Sequence, residues 1–216
     1  MLSFLPFKSI QFISLISCYS DQSKLKGYLS RLQTTIITRN DRIEYSLYYT
    51  IHGKRHREEK ELNRILPAVI WSRGTQEWYK NGKLHRDDKI NNYTLPAIEY
   101  ACGGKEWWRN GKEHRDDVDE KGRVLPAIVE SNGSQYWYIN GKYHRDDRDE
   151  NGKTLPAAIY SDGSYEWWKN GKRHRDDRDE NGRILPAVIY KDRHRECWDH
   201  REWWVNGQPV KMSIRN

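Results

Sequence analysis

The chain has 216 residues and a formal net charge of +7, and 36% of its residues are hydrophobic. Ten Trp and fourteen Tyr take the place of an aliphatic core, which argues against a globular domain and favours a thin sheet of stacked units. The three cysteines follow no motif spacing, and no apolar run approaches the roughly 18–20 residues that a membrane span needs. These features predict a chain in a reducing compartment, the cytoplasm.

Residues 1–33 do not share the pattern of the rest of the chain. Behind Pro6, a favourable first-turn residue, apolar side chains recur at helical spacing at Phe7, Ile10, Ile13 and Ile16. Asp21 can cap a second helix that carries Leu25, Tyr28, Leu29 and Leu32. The sequence therefore predicts a short N-terminal helical cap over 1–33 that covers the first open edge of a sheet.

Two alternatives exist for this segment. The pattern L-P-x-x-x-I-x-x-I, followed by Asp21 and Leu25, resembles the first helices of an F-box, which implies an adaptor that recruits a partner through 1–33, although the third helix is missing. The run Leu15-Ile16-Ser17-Cys18 resembles a lipoprotein cleavage box. Its apolar region is short and is interrupted by Gln11, with only Lys8 as a basic residue before it.

Residues 34–216 are built from copies of one motif, written most clearly at Trp167–Asp177 as W-W-K-N-G-K-R-H-R-D-D. Successive turn glycines are 29 or 30 residues apart, with a last interval of 36, and they are Gly53, Gly82, Gly111, Gly141, Gly171 and Gly207. A fixed period of this size indicates stacked supersecondary units. We therefore predict one repeat domain of about five to six units.

Each unit carries two turn signals, which together predict three antiparallel strands. Asn-Gly is the strongest signal for a two-residue type I′ hairpin, and it would place Trp167 opposite His174. If Asp162-Gly163 forms an equivalent turn, Ala158 lies opposite Trp167. The predicted fold is an all-β, elongated, single-layer meander in which an apolar residue, Trp and His form one cross-strand row, flanked by Glu–Arg pairs. The expected row residues are Trp78, His85, Trp107, His114, Trp137, His144, Trp167 and His174.

The W-x-x-N-G-x-x-H core with its alternating aromatic residues resembles MORN repeats, in the H-R-x-D…P-A variant found in tandem in proteins of large DNA viruses. The resemblance covers residues 48–207, and it departs from the standard pattern in a longer unit and in the lack of G-x-G after the histidine. It implies a non-catalytic β scaffold that binds partners, in the host cytoplasm or the virion. The lipid-binding role proposed for that family implies, as an alternative, a phospholipid-binding module at a membrane surface.

A second aromatic position follows each Trp of the row and points to the other face of the sheet. Its cross-strand neighbours vary among Leu84, Glu113, Tyr143, Arg173 and Pro209. A fixed aromatic residue with variable neighbours predicts a partly exposed ridge, and aromatic anchors within a charged rim are typical of binding hot spots. The predicted aromatic ridge is Tyr79, Trp108, Tyr138, Trp168 and Trp204.

The repeated His-Arg-Asp triplet resembles the catalytic loop of protein kinases, but the other kinase motifs do not accompany it. Successive histidines in three-stranded units would lie about 14 Å apart, too far to share a metal ion. We therefore expect each His to stack on its Trp. No nucleophile–base pair or cofactor fingerprint is present, so the sequence predicts a protein that is not an enzyme and needs no cofactor.

Two loops match the D-x-D-x-N-G opening of a calcium-binding loop. Their twelfth positions hold Ala158 and Val188, so the bidentate glutamate of such a loop is missing. An acidic solvated turn is the main expectation, with weak calcium binding as the alternative. The residues concerned are Asp147, Asp149, Asn151, Asp177, Asp179 and Asn181.

Positive and negative side chains alternate along the predicted strands. A nucleic-acid footprint would need a one-sided basic stripe, so no nucleic-acid partner is expected. The same alternation argues against an anionic membrane surface. We expect a protein partner, with self-association into a homo-oligomer as an alternative.

Overall fold

The structure, a computed structural model, describes residues 32–39, 42–61, 64–191 and 200–210. Every regular element within these ranges is a β-strand. The predicted helical cap lies outside the described residues except for Leu32 and Gln33, which begin the first strand, Leu32–Arg39, instead of ending a helix. The prediction of an all-β array of antiparallel hairpins is confirmed.

One thirteen-stranded antiparallel sheet runs through the described chain. After two long opening strands, each unit adds one hairpin of two short strands, which we call the sheet hairpin, and successive sheet hairpins pair directly with one another. In sheet order the strands are Leu32–Arg39, Arg42–Ile51, Val69–Trp71, Gln76–Glu77, Ile98–Glu99, Lys105–Glu106, Ile128–Val129, Gln135–Tyr136, Ala158–Ile159, Tyr165–Glu166, Val188–Tyr190 and His200–Glu202, with Lys54–Arg55 paired to the second strand off this path.

The Asn-Gly hairpins lie outside this sheet, each as a separate two-stranded sheet. Their strands are Tyr79–Lys80 with Lys83–Leu84, Trp108–Arg109 with Lys112–Glu113, Tyr138–Ile139 with Lys142–Tyr143, Trp168–Lys169 with Lys172–Arg173, and Trp204–Val205 with Gln208–Pro209. The prediction that every unit feeds three strands into one meander is therefore wrong. Two strands per unit give a repeat of about 10 Å along the sheet.

A third hairpin, the connecting hairpin, joins each unit to the next. It consists of Lys60–Glu61 with Arg64–Ile65 and of Lys89–Ile90 with Tyr93–Thr94. Later units reduce it to single bridges, Val118 to Val124, Arg148 to Thr154 and Arg178 to Ile184. A unit is thus three short hairpins, and each kind of hairpin recurs in register along the array.

The Asn-Gly turns have the predicted type I′ geometry. Both central residues have positive φ, 52° at Asn170 and 79° at Gly171, and asparagine and glycine tolerate this region best. The Gly171 amide also donates to the carbonyl of Tyr143 in the preceding unit at 2.9 Å. Each Asn-Gly turn is therefore hydrogen-bonded to the hairpin before it.

The turns of the sheet hairpins differ from the prediction. At Asp162-Gly163 only the glycine has positive φ, and the Gly163 amide donates to the Tyr160 carbonyl at 2.9 Å, as in a type I turn closed by a glycine bulge. The extra loop residue shifts the register by one, so Ala158 lies opposite Glu166 and not opposite Trp167. The predicted apolar–Trp–His row across three strands does not form.

The core lies between units and is built mainly from alanine and tryptophan, together with Tyr49, Val69, Ile98 and Val188. The alanine of each Leu-Pro-Ala segment is at most 1% exposed, at Ala68, Ala97, Ala127, Ala157 and Ala187. In four of the five its carbonyl accepts the backbone N–H of a Trp, as Ala187 does from Trp167 at 2.8 Å, and Ala68 accepts that of Tyr49. Only a small side chain fits where two backbones approach this closely.

Candidate binding surface

The arginine of each His-Arg-Asp-Asp segment stacks on the tryptophan of its own unit. Its guanidinium carbon lies 3.7–3.9 Å from the ring centroid in the four regular units, in the pairs Arg86–Trp78, Arg115–Trp107, Arg145–Trp137 and Arg175–Trp167. Cation–π attraction is strongest at such short, desolvated contacts. The predicted stacking of histidine on tryptophan is therefore wrong: the arginine one position later takes that place.

The second aspartate of the segment completes a clamp on the preceding unit. Asp117 accepts a bond from Arg115 Nε at 2.9 Å and from the backbone N–H of Thr94 at 3.1 Å. Trp107 Nε1 donates to the carbonyl of the same Thr94 at 2.7 Å. Two side chains of one unit thus hold both backbone polar groups of one residue in the connecting hairpin before it, and the arginine pairs with the aspartate that does so. The same Arg–Asp pair recurs in the four regular units.

The histidines form a second set of bonds between units. Nδ1 of His144 accepts the backbone N–H of Asn170, which belongs to the next turn, at 3.1 Å. Its Nε2 lies 3.0 Å from Asp146. Since the backbone amide can only donate, Nδ1 is unprotonated and Nε2 carries the proton. The same Nδ1 contact occurs at His56, His85, His114 and His174.

The predicted Glu–Arg pairs beside the tryptophans are also wrong. Glu106 accepts bonds from Tyr100 Oη at 2.8 Å and Trp108 Nε1 at 2.7 Å, while Arg115 binds Asp117. On the side of the ridge these glutamates hold aromatic N–H and O–H groups, because each arginine instead lies over its tryptophan and binds the aspartate.

All five side chains of the aromatic ridge are partly exposed, as the sequence predicts. Two of their cross-strand neighbours, Tyr143 and Arg173, insert between consecutive ridge residues. Tyr143 lies 4.1 Å from Tyr138 and 5.3 Å from Trp168 between ring centroids. Arg173 lies 5.5 Å from the Trp168 ring and 5.6 Å from the Trp204 ring. The ridge is therefore a column of rings with other side chains inserted between them.

Beside the ridge, the sheet face carries a row of aromatic–glutamate pairs. Trp71 donates to Glu77 at 2.7 Å, and Tyr100 donates to Glu106 at 2.8 Å. In these units the aromatic residue lies before the turn of the sheet hairpin, and the glutamate lies on the second strand, after the turn. The next unit reverses the order: Glu130 directly follows the first strand, Ile128–Val129, and Tyr136 lies on the second.

A cavity of about 500 Å³ opens where the order reverses. Its lining includes the side chains of Tyr100, Glu106, Glu130, Tyr136, Tyr138 and Tyr143, and it contains no Lys or Arg. This is notable in a chain whose net charge is +7. Burial raises the pKa of Tyr138 far above its usual range, and Tyr143 adds to the shift. Burial and then Glu106 raise the pKa of Tyr100 in the same way. These phenols stay protonated and can act as donors at neutral pH.

Sequence reasoning found Tyr138 and Tyr143 and placed Glu106 beside the ridge in a Glu–Arg pair, but it missed Tyr100, Glu130 and Tyr136 as parts of a surface. The sequence does contain a signal for these residues, which appears when the repeat units of this chain are aligned with one another. One unit exchanges the positions of an aromatic residue and a glutamate, and this exchange is visible once the copies are superposed at their turn glycines.

The acidic loops place their carboxylates in different environments. Asp177 binds Arg175 at 3.1 Å and the Thr154 amide at 3.0 Å, whereas Asp179 accepts the amides of its own turn, from Asn181 at 2.9 Å and Arg183 at 2.8 Å. Among the described residues no group of three or more His, Cys, Asp or Glu is placed to hold a metal ion. Weak calcium binding stays a prediction.

Comparison with known proteins gave no match to any family model, and no significant match to a curated protein or a solved structure. In the described ranges, no helix is long and apolar enough to cross a membrane.

Proposed function

We propose that this protein is a non-enzymatic repeat scaffold that mediates protein–protein interaction through the aromatic ridge and the adjoining aromatic–glutamate face. The MORN-like motif adds a second part to the proposal, namely that the chain is a viral structural or host-interaction protein. The observation that carries the proposal is the column of five partly exposed aromatic side chains at one register of the array.

Partly exposed aromatic side chains in fixed positions favour binding because little conformational entropy is lost when a partner covers them. The ridge residues are held in place. Trp108 Nε1 donates to Glu106 at 2.7 Å, Trp168 Nε1 to Glu166 at 2.7 Å and Trp204 Nε1 to Glu202 at 2.8 Å. Stacked units extend this surface in one direction, which suits an elongated partner segment.

The test is affinity capture followed by quantitative mass spectrometry, with the intact protein and the double variant Trp108→Ala/Trp168→Ala as bait. Tyr165→Ala is the matched control, because Tyr165 is an exposed aromatic residue of the thirteen-stranded sheet and points away from the face of Glu166, which bonds to Trp168. We expect the intact protein and the control to retain one set of proteins that the double variant loses, while circular dichroism shows all three folded.

Retention of the same proteins by the double variant would contradict the proposal. Binding of the intact protein to anionic phospholipid vesicles, unchanged in the double variant, would instead support the membrane-surface alternative. Loss of capture on removal of residues 1–33 alone would support the adaptor alternative.

A further inference from the structure

The cavity beside the ridge has a counterpart elsewhere in the same chain that is filled by an arginine. Near the C-terminal end of the array, the Arg173 guanidinium donates to Glu202 at 3.1 Å and to Tyr190 Oη at 3.2 Å, and it lies 3.5 Å from Glu166. The rings of Trp168 and Trp204 lie on either side of it. We call these residues the Arg173 cluster.

Two units earlier, the same register positions hold the same kinds of side chain. Val188 lies between Glu166 and Glu202 in the sheet, and its counterpart Ile128 lies between Glu106 and Tyr136. The three positions that bind the guanidinium correspond there to Glu106, Glu130 and Tyr136. Two carboxylates and one phenol are thus present in both places, with one glutamate and the tyrosine exchanged.

The ring positions correspond as well. Trp108 and Tyr138 replace the two tryptophans on either side of Arg173, and Tyr138 lines the cavity together with Glu106, Glu130 and Tyr136. The arginine is what differs. Its register position, opposite Trp108, holds Glu113, so a carboxylate stands where the guanidinium would be, beside a cavity lined by Glu106 and Glu130.

The charges of this site are left without a counter-ion. Within the part of the chain that the structure describes, Glu106 is bonded to Tyr100 and Trp108, and Glu130 to Asn132 at 3.0 Å, and no Lys, Arg or His forms an ion pair with Glu106, Glu113 or Glu130. A cation that enters the cavity is attracted by both of its unpaired carboxylates, Glu106 and Glu130. A planar guanidinium between two rings, bonded to carboxylates at its edge, is the arrangement the Arg173 cluster already uses.

We infer that the cavity lined by Glu106, Glu130, Tyr136 and Tyr138 binds an arginine side chain from a basic segment of a protein partner. The inference rests on the proposed scaffold function and specifies the chemistry of the partner. Arginine fits better than lysine because a planar guanidinium can stack between two rings with its N–H donors at the edge towards the carboxylates, whereas an ammonium ion has no plane to stack.

The probes are three peptides, acetyl-Gly-Ser-Xaa-Ser-Gly-amide, with Arg, Lys or citrulline at Xaa. Titration into the isotope-labelled full chain is followed by NMR. We expect saturable binding of the arginine peptide, at least fivefold weaker binding of the lysine peptide, and no saturation with citrulline, which has the shape of arginine without its charge. The shifted amides should include those of Glu106, Glu130 and Tyr136.

Two variants test the location. Glu130→Gln should weaken binding of the arginine peptide at least fivefold, whereas Glu150→Gln, at an exposed connecting loop, should leave it unchanged. Glu113→Arg should supply the guanidinium from within the chain, as Arg173 does, and should abolish peptide binding without lowering the melting temperature.

Equal affinity for the arginine and lysine peptides, or arginine binding that survives both Glu130→Gln and Glu113→Arg, would overturn the inference. These results do not depend on capturing a natural partner. Loss of partner capture in the ridge variant together with absent peptide binding would therefore refute the arginine site and leave the scaffold function standing.

Discussion

The guanidinium carbon of Arg115 lies 3.8 Å from the centroid of the Trp107 ring, and both side chains are buried. The same guanidinium donates to Asp117 at 2.9 Å and to the Pro126 carbonyl at 3.2 Å. Burial lowers the pKa of Arg115, but Asp117 opposes the shift. One arginine therefore connects the aromatic core, the charge pair of the junction and the start of the next sheet hairpin.

Replacing this arginine should destabilise the array strongly. Arg115→Ala leaves the Asp117 carboxylate buried without its cation, which we expect to lower the free energy of unfolding by about 3–5 kcal/mol. Arg109→Ala is the matched control, because Arg109 is exposed and pairs with the exposed Asp116, and it should cost less than about 1 kcal/mol. Urea denaturation of both variants measures the difference. Equal losses would mean that the clamp does not hold the units together.

The adjacent tryptophans at 107 and 108 should respond differently to truncation. Trp107 is 7% exposed and its Nε1 holds the preceding unit, so Trp107→Ala should cost about 3–5 kcal/mol. Trp108 is partly exposed, and its replacement by alanine should cost clearly less. Thermal melts of the two single variants decide the order. If Trp108→Ala lowers the melting temperature more than Trp107→Ala does, the aromatic ridge forms the core and the tryptophans between units do not.

The histidine contacts predict a dependence of stability on pH. Burial, and then the positive charge of Arg109, lower the pKa of His114 below its ordinary value of 6.5. The unfolded chain therefore binds a proton at a higher pH than the folded chain, so stability is complete above pH 6.5 and falls as the pH decreases towards the folded-state pKa. A proton on Nδ1 also removes the acceptor for the Asn140 amide, which lies 3.2 Å away.

The variant His114→Asn keeps an acceptor near the Nδ1 position but does not titrate. Between about pH 7.5 and about pH 5.5, the urea midpoint of this variant should fall less than that of the unaltered protein. An identical fall in both would exclude His114 as a source of the pH dependence.

Calcium should bind no more tightly than about millimolar at the two acidic loops, because each lacks the last carboxylate of a calcium-binding loop. Isothermal titration calorimetry with the full chain tests this. Micromolar binding that disappears in Asp179→Ala would show that the loop rearranges around the ion.

The fixed period of the turn glycines and the type I′ conformation at Asn170-Gly171 were predictable from the sequence, because turn chemistry is local and depends on which residues tolerate positive φ. The partial exposure of the ridge could also be predicted, since alternation along a strand assigns side chains to faces. The register of the sheet hairpin could not. A turn whose second central residue is glycine can form a two-residue hairpin loop or a three-residue loop with a bulge. Pairing with the neighbouring unit selects between these two loops.

The contacts between units were decided by the tertiary structure alone. His114 and Arg115 are adjacent in the sequence and both can stack on Trp107, but only the arginine can also reach Asp117 and the Pro126 carbonyl, so it lies over the ring and the histidine accepts the next turn's amide. The cavity beside Tyr138 has the same origin. The exchange of Glu130 and Tyr136 is present in the sequence, but its consequence depends on side chains of two successive units meeting on one sheet face. Local propensities fix the shape of each hairpin, and packing between hairpins determines which charges are left without a partner.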